Sequence, residues 1–165
     1  MITSTAPGAM IVTLEVEVQR AVEDPAIPSS GQLLTWAQAA WLPRSADAQL
    51  VIRICDEAES RQLNHEFRGK DQPTNVLSFP YEPVPEIGLD HVGDLLICAP
   101  VVAREATQQG KTIDAHWAHM VVHGVLHLQG HDHQDDAQAE AMETIETRIL
   151  GDLGFPAPYT DEAKT

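Results

Sequence analysis

The sequence predicts a single α+β domain in which about five helices pack against a small sheet of about four strands. Its 165 residues, 43% of them hydrophobic, suffice for one core of ordinary size. Short apolar or alternating stretches with the period of strands are interspersed with longer stretches of helical spacing. We expect the domain to span residues 1–155 and residues 156–165 to form a loose tail.

The first strand is predicted over residues 11–18, where apolar and polar side chains alternate. After residues 29–31, apolar residues recur at helical spacing until Pro43. This pattern predicts the first helix. Residues 49–55 form a short stretch rich in Val and Ile, which predicts the second strand.

A second helix is predicted from Asp56 to about Phe67, because Asp56 with Glu59 three residues later resembles a capping box. Residues 75–79 predict a third strand and residues 92–99 a fourth. The expected order is therefore two strand, helix, strand units, followed by a hairpin and a helical half.

The helical half contains three predicted helices. Pro100 suits the first turn of a helix and Gly110 its end. Thr112 can cap a long helix that Gly130 ends. Asp135 can open a last helix whose apolar residues share one face.

The charge and the cysteines restrict the environment and the partners. A formal net charge of -15 counts against a nucleic-acid substrate, although the uneven spread of the acidic residues leaves room for a local basic site. No uncharged apolar run reaches eighteen residues and the start lacks the order of a secretory signal, so we expect a cytoplasmic protein without a membrane partner. Cys55 and Cys98 lie in apolar strand-like stretches, which predicts buried free thiols.

Six of the eight histidines lie between His116 and His133. Residues four apart on a helix are neighbours on one face, so His123 and His127 can present two imidazoles to one ion. Gly130 can turn the chain sharply, and His133 can return as a third ligand. Three protein ligands leave the fourth tetrahedral position for water, as in catalytic zinc sites. The spacing predicts one zinc ion (Zn²⁺) on His123, His127 and His133.

Other assignments of these residues remain open. His119 continues the same stripe, so a set of His119, His123 and His127 on the helix alone ranks second. His131 and Asp132 are expected to be neighbours in the turn, where Asp132 either orients a ligand imidazole or is simply exposed. Any single histidine is more simply an ordinary core or surface residue, but several polar rings on a buried helix need a reason.

A protease hypothesis follows from the same histidines. Their offsets match metalloproteases of the HExxHxxGxxH type, but Gly124 stands where those enzymes need glutamate. Without that general base the protease mechanism lacks its proton acceptor, so proteolysis is a subordinate hypothesis.

A second distinctive stretch, LNHEFRGKDQPTNVLSFP, covers residues 63–80. Together with Gly93 and Asp94 in GDLLIC and with the segment HGVLHLQGHDH, it resembles the YbeY family of bacterial metal-dependent endoribonucleases. That family is implicated in ribosomal RNA maturation and ribosome quality control. The resemblance covers roughly residues 50–150.

The resemblance implies a mixed sheet with helices, a zinc ion held by the three matching histidines, and a functionally important Arg68. It also implies ribosomal RNA and the ribosome as partners. Asn75 departs from the family, which usually has aspartate there, and His131 stands where tyrosine is frequent.

Arg68 suits phosphate chemistry independently of the resemblance. Its planar, permanently charged guanidinium matches phosphate geometry, although a surface ion pair with Asp71 or Glu66 is the simpler alternative. Lys70 and Arg61 can add local positive potential.

We therefore expect a zinc-dependent endoribonuclease directed at single-stranded RNA, in which zinc-bound water attacks the phosphodiester and Arg68 stabilises the phosphate. A metalloprotease-like hydrolase and a non-catalytic ribosome assembly factor stabilised by zinc are the alternatives.

Overall fold

The computed structural model describes residues 14–41, 48–80, 90–130 and 135–159, with the backbone alone at residues 90 and 91. Within these ranges the chain forms four strands and five helices, which confirms the predicted α+β class. In chain order they are β1 (Leu14–Arg20), α1 (Ser30–Ala40), β2 (Ala48–Cys55), α2 (Glu57–Arg68), β3 (Val76–Pro80), β4 (Asp90–Cys98), α3 (Ala99–Gln109), α4 (Ile113–Leu128) and α5 (Asp136–Asp152).

The helix starts follow from local side-chain chemistry. Ser29 forms a full capping box with Gln32 at the start of α1. At the start of α2 the Asp56 carboxylate accepts from the Glu59 amide at 2.9 Å, as predicted. The capping box predicted there is only half formed, because the Glu59 carboxylate accepts two hydrogen bonds from Arg53 on β2 instead. A guanidinium fork is a stronger partner for a carboxylate than a backbone amide.

The sheet has the order β1-β2-β4-β3. Strands β1, β2 and β4 are parallel, while β3 is antiparallel to β4, so the sheet is mixed. The first strand, helix, strand unit is therefore confirmed. The second differs from a parallel unit, because β4 lies between β2 and β3 and forms the predicted hairpin with β3. No described helix combines the length and apolarity that crossing a lipid bilayer requires.

The two faces of the sheet bury different clusters, since side chains alternate along a strand. Leu95 and Ile97 of β4 pack with α1, α4 and α5 in the larger cluster. Leu96 and Cys98 point the other way and pack with Leu77 of β3 and Val101 of α3. Cys98 pairs in register with Cys55, and both are buried free thiols, as predicted.

Two glycines allow α4 to lie close to the sheet. A Cβ on Gly124 would lie only 2.7 Å from Cδ2 of Leu95, so the helix backbone lies directly against β4. Gly93 has a positive φ of 155°, and a Cβ there would lie 2.7 Å from Cδ2 of Leu128. These contacts place the last turn of α4, which includes His127, beside the β3–β4 hairpin.

The loop between α2 and β3 is held by buried polar side chains of α2. The Ser60 hydroxyl donates to the Thr74 carbonyl at 3.0 Å and accepts from the Thr74 amide at 2.9 Å. The Asn64 amide donates to the Gln72 carbonyl at 2.8 Å. Such bonds satisfy backbone groups that a loop leaves unpaired, and they fix the position of Asn75 directly before β3.

Candidate metal centre

Helix α4 presents four histidines in one stripe. Successive ring centroids of His116, His119 and His123 lie 6.1 Å apart, and those of His123 and His127 lie 4.6 Å apart. Rings three and four residues apart meet because they lie on the same helix face. The structure therefore brings together the two helical residues of the predicted zinc site. His133, His131 and Asp132 lie outside the described residues, so the three-histidine ligand set stays a prediction.

Glu146 on α5 faces this stripe and is fully buried. Its Oε1 lies 2.5 Å from Nδ1 of His123, and its Oε2 lies 2.9 Å from Nε2 of His119. Burial by itself raises the pKa of the Glu146 carboxyl, but the hydrogen bonds to His119 and His123 and the charges of these two rings together lower the pKa to about 2. Glu146 is thus a carboxylate at neutral pH.

Tyr159 and Lys111 complete the surroundings of His119. The Tyr159 hydroxyl donates to Oε2 of Glu146 at 2.7 Å, and its ring stands edge-on to the His119 ring. Nζ of Lys111 lies 3.5 Å from Nδ1 of His119. Burial lowers the pKa of His119 despite the opposing influence of Glu146. His119 is therefore enclosed by protein partners at both ring nitrogens.

The histidine spacing does not predict that Glu146, Lys111 and Tyr159 are parts of this site. A signal existed for Glu146, because it stands between the apolar positions Ile145 and Ile149 on the buried side of α5. A charged residue on a buried helix face requires a partner. Tyr159 falls in the segment predicted as a loose tail. Residues 160–165 of that segment lie outside the described residues, so the predicted domain boundary stays a prediction.

The described side chains fit a metal ion. His119, His123 and Glu146 form a cluster of donor atoms of the type that binds metal ions, within 4.8 Å of one another, although the two His119 nitrogens already face Lys111 and Glu146. His123 meets a second requirement, because metal-binding histidines usually donate their other ring N–H to a carboxylate or carbonyl. A metal site at this end of α4 is therefore consistent with the donor atoms present.

A cavity of about 440 Å³ adjoins the metal candidates. Its walls include Glu105, Lys111, His116, His119, His123 and Tyr159. Glu105 accepts from Nε2 of His116 at 2.9 Å and from the Asn75 amide at 3.0 Å. Burial raises the pKa of Glu105, but these two hydrogen bonds together with the positive charges of His116 and Lys111 lower the pKa overall. The cavity thus contains a second fixed carboxylate beside the histidine stripe.

Arg68 is the last residue of α2 and is exposed. The predicted alternative for it was an ion pair with Asp71 or Glu66. Asp71 is instead bound by Arg61, whose Nε lies 2.7 Å from Oδ1 of Asp71. Within the part of the chain that the structure describes, Arg68 makes no ion pair, and it is not among the residues that line the cavity. Its guanidinium is exposed to any phosphate that approaches.

Comparison with known proteins decides the family. A family model described as "Endoribonuclease YbeY" matches residues 28–154. The chain belongs to the YbeY family. It is 53% identical over 151 residues to "Endoribonuclease YbeY" of Pseudomonas putida strain W619, across 90% of this chain and 95% of that protein. The protein of the same name from Pseudomonas syringae pv. tomato strain DC3000 is 54% identical over 151 residues, with 90% of each chain covered.

A solved structure supports the fold. The solution structure of TM1509 from Thermotoga maritima superposes with a TM-score of 0.53 at 22% identity, across 93% of this chain and all of that one. Membership of the YbeY family confirms the predicted activity class, a hydrolytic endoribonuclease acting on RNA.

The structure explains two residues that the sequence singled out: Asn75, which departs from the YbeY pattern, and Gly124, which stands where metalloproteases have glutamate. The side-chain amide of Asn75 donates a hydrogen bond to the Glu105 carboxylate. An aspartate at this position would be charged at neutral pH and would repel Glu105. Gly124, where a metalloprotease has its glutamate, packs against Leu95 in the core. The direction in which a side chain would leave position 124 therefore points into the sheet and away from the histidine stripe.

Proposed function

We propose that this YbeY-family protein is a zinc-dependent endoribonuclease directed at single-stranded RNA, acting in ribosomal RNA maturation and ribosome quality control. His123, His127 and His133 would hold one zinc ion. A bound zinc ion would supply an activated water and polarise a phosphoryl oxygen of the substrate. The observation that carries the proposal is the close pair of His123 and His127 on buried α4, with Nδ1 of His123 bound to buried Glu146.

The chain's own residues would bind and orient the phosphate. Arg68 is exposed and makes no ion pair within the described ranges, so it can approach a phosphate without first breaking an ion pair to any described residue. Its fork can form two parallel hydrogen bonds to phosphate oxygens and stabilise the charge that develops in the transition state. Lys70, two residues further and also exposed, adds positive potential at the same end of α2.

The net charge of -15 limits how RNA can bind. This net charge opposes an extended phosphate interface, so we expect phosphate contacts only near Arg68, Lys70 and the metal. If Arg68 and Lys70 each neutralise one phosphate of a single strand, log affinity plotted against log salt concentration has a slope of about -1.4. A much steeper slope would indicate an extended phosphate interface and contradict this mode of binding. A cytoplasmic location and delivery to the ribosome stay predictions.

The test compares Arg68→Ala with Arg61→Ala on the same helix. A fluorogenic single-stranded RNA and a peptide substrate are offered to protein of measured metal content. Arg68→Ala should lower kcat/KM for RNA by about 100-fold or more at unchanged zinc content, because it removes a contact to developing charge. Arg61→Ala should change it by less than about threefold, because Arg61 is paired with Asp71 at the surface.

Three results would contradict the proposal. Equal RNA cleavage by both variants would remove Arg68 from the reaction. Cleavage of the peptide in preference to RNA would favour the protease. Zinc binding without turnover of either substrate, together with a large loss of thermal stability on chelation, would favour the assembly factor.

A further inference from the structure

We propose that Glu146 is a positioning residue: it orients the imidazole of His123 toward the metal and is not itself a metal ligand. This inference rests on the proposed function for the presence of a metal. Glu146 lies on α5, outside the histidine segment from which the zinc site is predicted. Glu146 is the side chain through which α5 would act on the reaction.

The contacts of Glu146 use both of its oxygens. Oε1 faces Nδ1 of His123 at 2.5 Å, while Oε2 faces Nε2 of His119 at 2.9 Å and accepts from the Tyr159 hydroxyl at 2.7 Å. A fully buried carboxylate is costly unless such donors satisfy it. Three donors from α4 and the C-terminal segment therefore hold the carboxylate in one orientation.

That orientation determines which nitrogen of His123 would bind a metal. A neutral imidazole has one N–H and one lone-pair nitrogen. If Nδ1 donates its proton to Glu146, the lone pair is on Nε2, and the ring cannot rotate without breaking the 2.5 Å contact. Glu146 thus selects both the tautomer and the direction of the ring, as carboxylates behind zinc-bound histidines commonly do.

The distances favour positioning over ligation. Zinc–nitrogen bonds of 2.0–2.1 Å in a tetrahedron place ligand atoms about 3.3 Å apart. The atoms of Glu146 lie closer than that to both imidazoles, at separations typical of charge-assisted hydrogen bonds. His119 is held by Lys111 at its other nitrogen, which makes it a support for Glu146.

The test replaces Glu146 with Gln and uses Glu140→Gln as the matched control. Glu140 lies on the same helix, is exposed, and loses the same charge on substitution. Zinc affinity is measured by competition with a chromophoric chelator, and the ligand set by the visible spectrum of the Co²⁺-substituted protein. We expect Glu146→Gln to bind zinc about 10- to 100-fold more weakly with an unchanged Co²⁺ spectrum. Glu140→Gln should match the parent in both.

Tyr159→Phe provides a second variant in case Glu146→Gln does not fold. It keeps the ring against His119 and removes only the hydroxyl that donates to Glu146. We expect a smaller fall in zinc affinity, again with the parent's Co²⁺ spectrum. Circular dichroism of each variant separates misfolding from a local change at the site.

Several outcomes would overturn the inference. Zinc affinity of Glu146→Gln within twofold of the parent would show that Glu146 positions nothing. A changed Co²⁺ spectrum would make Glu146 a ligand. A parent protein that binds no zinc would refute both the inference and the proposed zinc site. A parent that binds zinc but cleaves no RNA would refute the proposed function alone, because the affinity comparison still decides the role of Glu146.

Discussion

Gly124→Ala is expected to destabilise the protein by forcing α4 away from the sheet. The added Cβ would lie 2.7 Å and 3.0 Å from the two terminal carbons of Leu95. Carbon atoms in favourable contact lie about 3.5–4.0 Å apart, so one of the two elements must shift. Leu95 is fully buried and has little room to do so. Overpacking of this kind costs about 1–3 kcal/mol.

The net effect is smaller than the steric cost, since alanine is a better helix former than glycine by about 1 kcal/mol. Gly151 on α5 provides the matched control: it is exposed, and a Cβ there would meet no atom within 4 Å. Gly151→Ala should therefore stabilise the protein by up to about 1 kcal/mol. The difference between the two variants, about 1–3 kcal/mol, isolates the steric cost at Gly124.

Urea unfolding of both variants measures this difference as a change in the free energy of unfolding. In a Leu95→Ala background, which removes the clashing carbons, Gly124→Ala should become neutral or stabilising. Zinc affinity should fall in Gly124→Ala but not in Gly151→Ala, because only Gly124 lies on α4, the helix that holds His123. Equal stability of Gly124→Ala and Gly151→Ala would refute the close approach of helix and sheet.

Asn75→Asp should destabilise the protein by about 1–3 kcal/mol at pH 7, because a carboxylate would replace the amide that donates to Glu105. Thermal melts should show that loss shrinking as the pH falls and one of the two acids is protonated; a pH-independent loss would contradict it. In metal-free protein, the low pKa of Glu146 predicts a stabilisation that is complete above about pH 4.5 and is lost as the pH falls toward 2. A shift from 4.5 to about 2 corresponds to on the order of 3 kcal/mol. Glu146→Gln should lack this acid dependence in urea titrations, and an unchanged pH profile would argue against the buried carboxylate.

Local signals predicted the elements well, because a helix start or end is decided by a few neighbouring residues. Ser29, Asp56, Thr112 and Asp135 all cap helices through the amide of a residue three positions later. Gly110 ends α3 with the left-handed conformation expected of it. Such interactions are encoded within one turn and are visible without tertiary structure.

The sheet order could not be predicted in the same way. The insertion of β4 between β2 and β3 depends on which strands bury their faces against which helices, and that is a property of the whole chain. The failed half of the capping box has the same origin: Arg53 on the neighbouring strand competes for Glu59. Tertiary partners override local preferences when they offer a stronger bond.

The same distinction between local and tertiary contacts applies to the candidate site. The spacing of His123 and His127 on one helix predicted that their rings meet, since helix geometry alone brings them together. The contact between Glu146 and His123 joins residues 23 positions apart on two helices. It depends on how α5 docks on α4, which histidine spacing does not reveal.

Metal titration coupled to RNA cleavage tests the proposed zinc chemistry most directly. Chelator-treated protein receives increasing zinc while cleavage of a single-stranded fluorogenic RNA is followed. We expect activity to rise linearly to one equivalent of zinc per chain and then stay constant, with His123→Ala binding no stoichiometric zinc. Full RNA cleavage by the chelated protein, or activity that does not follow zinc occupancy, would contradict it.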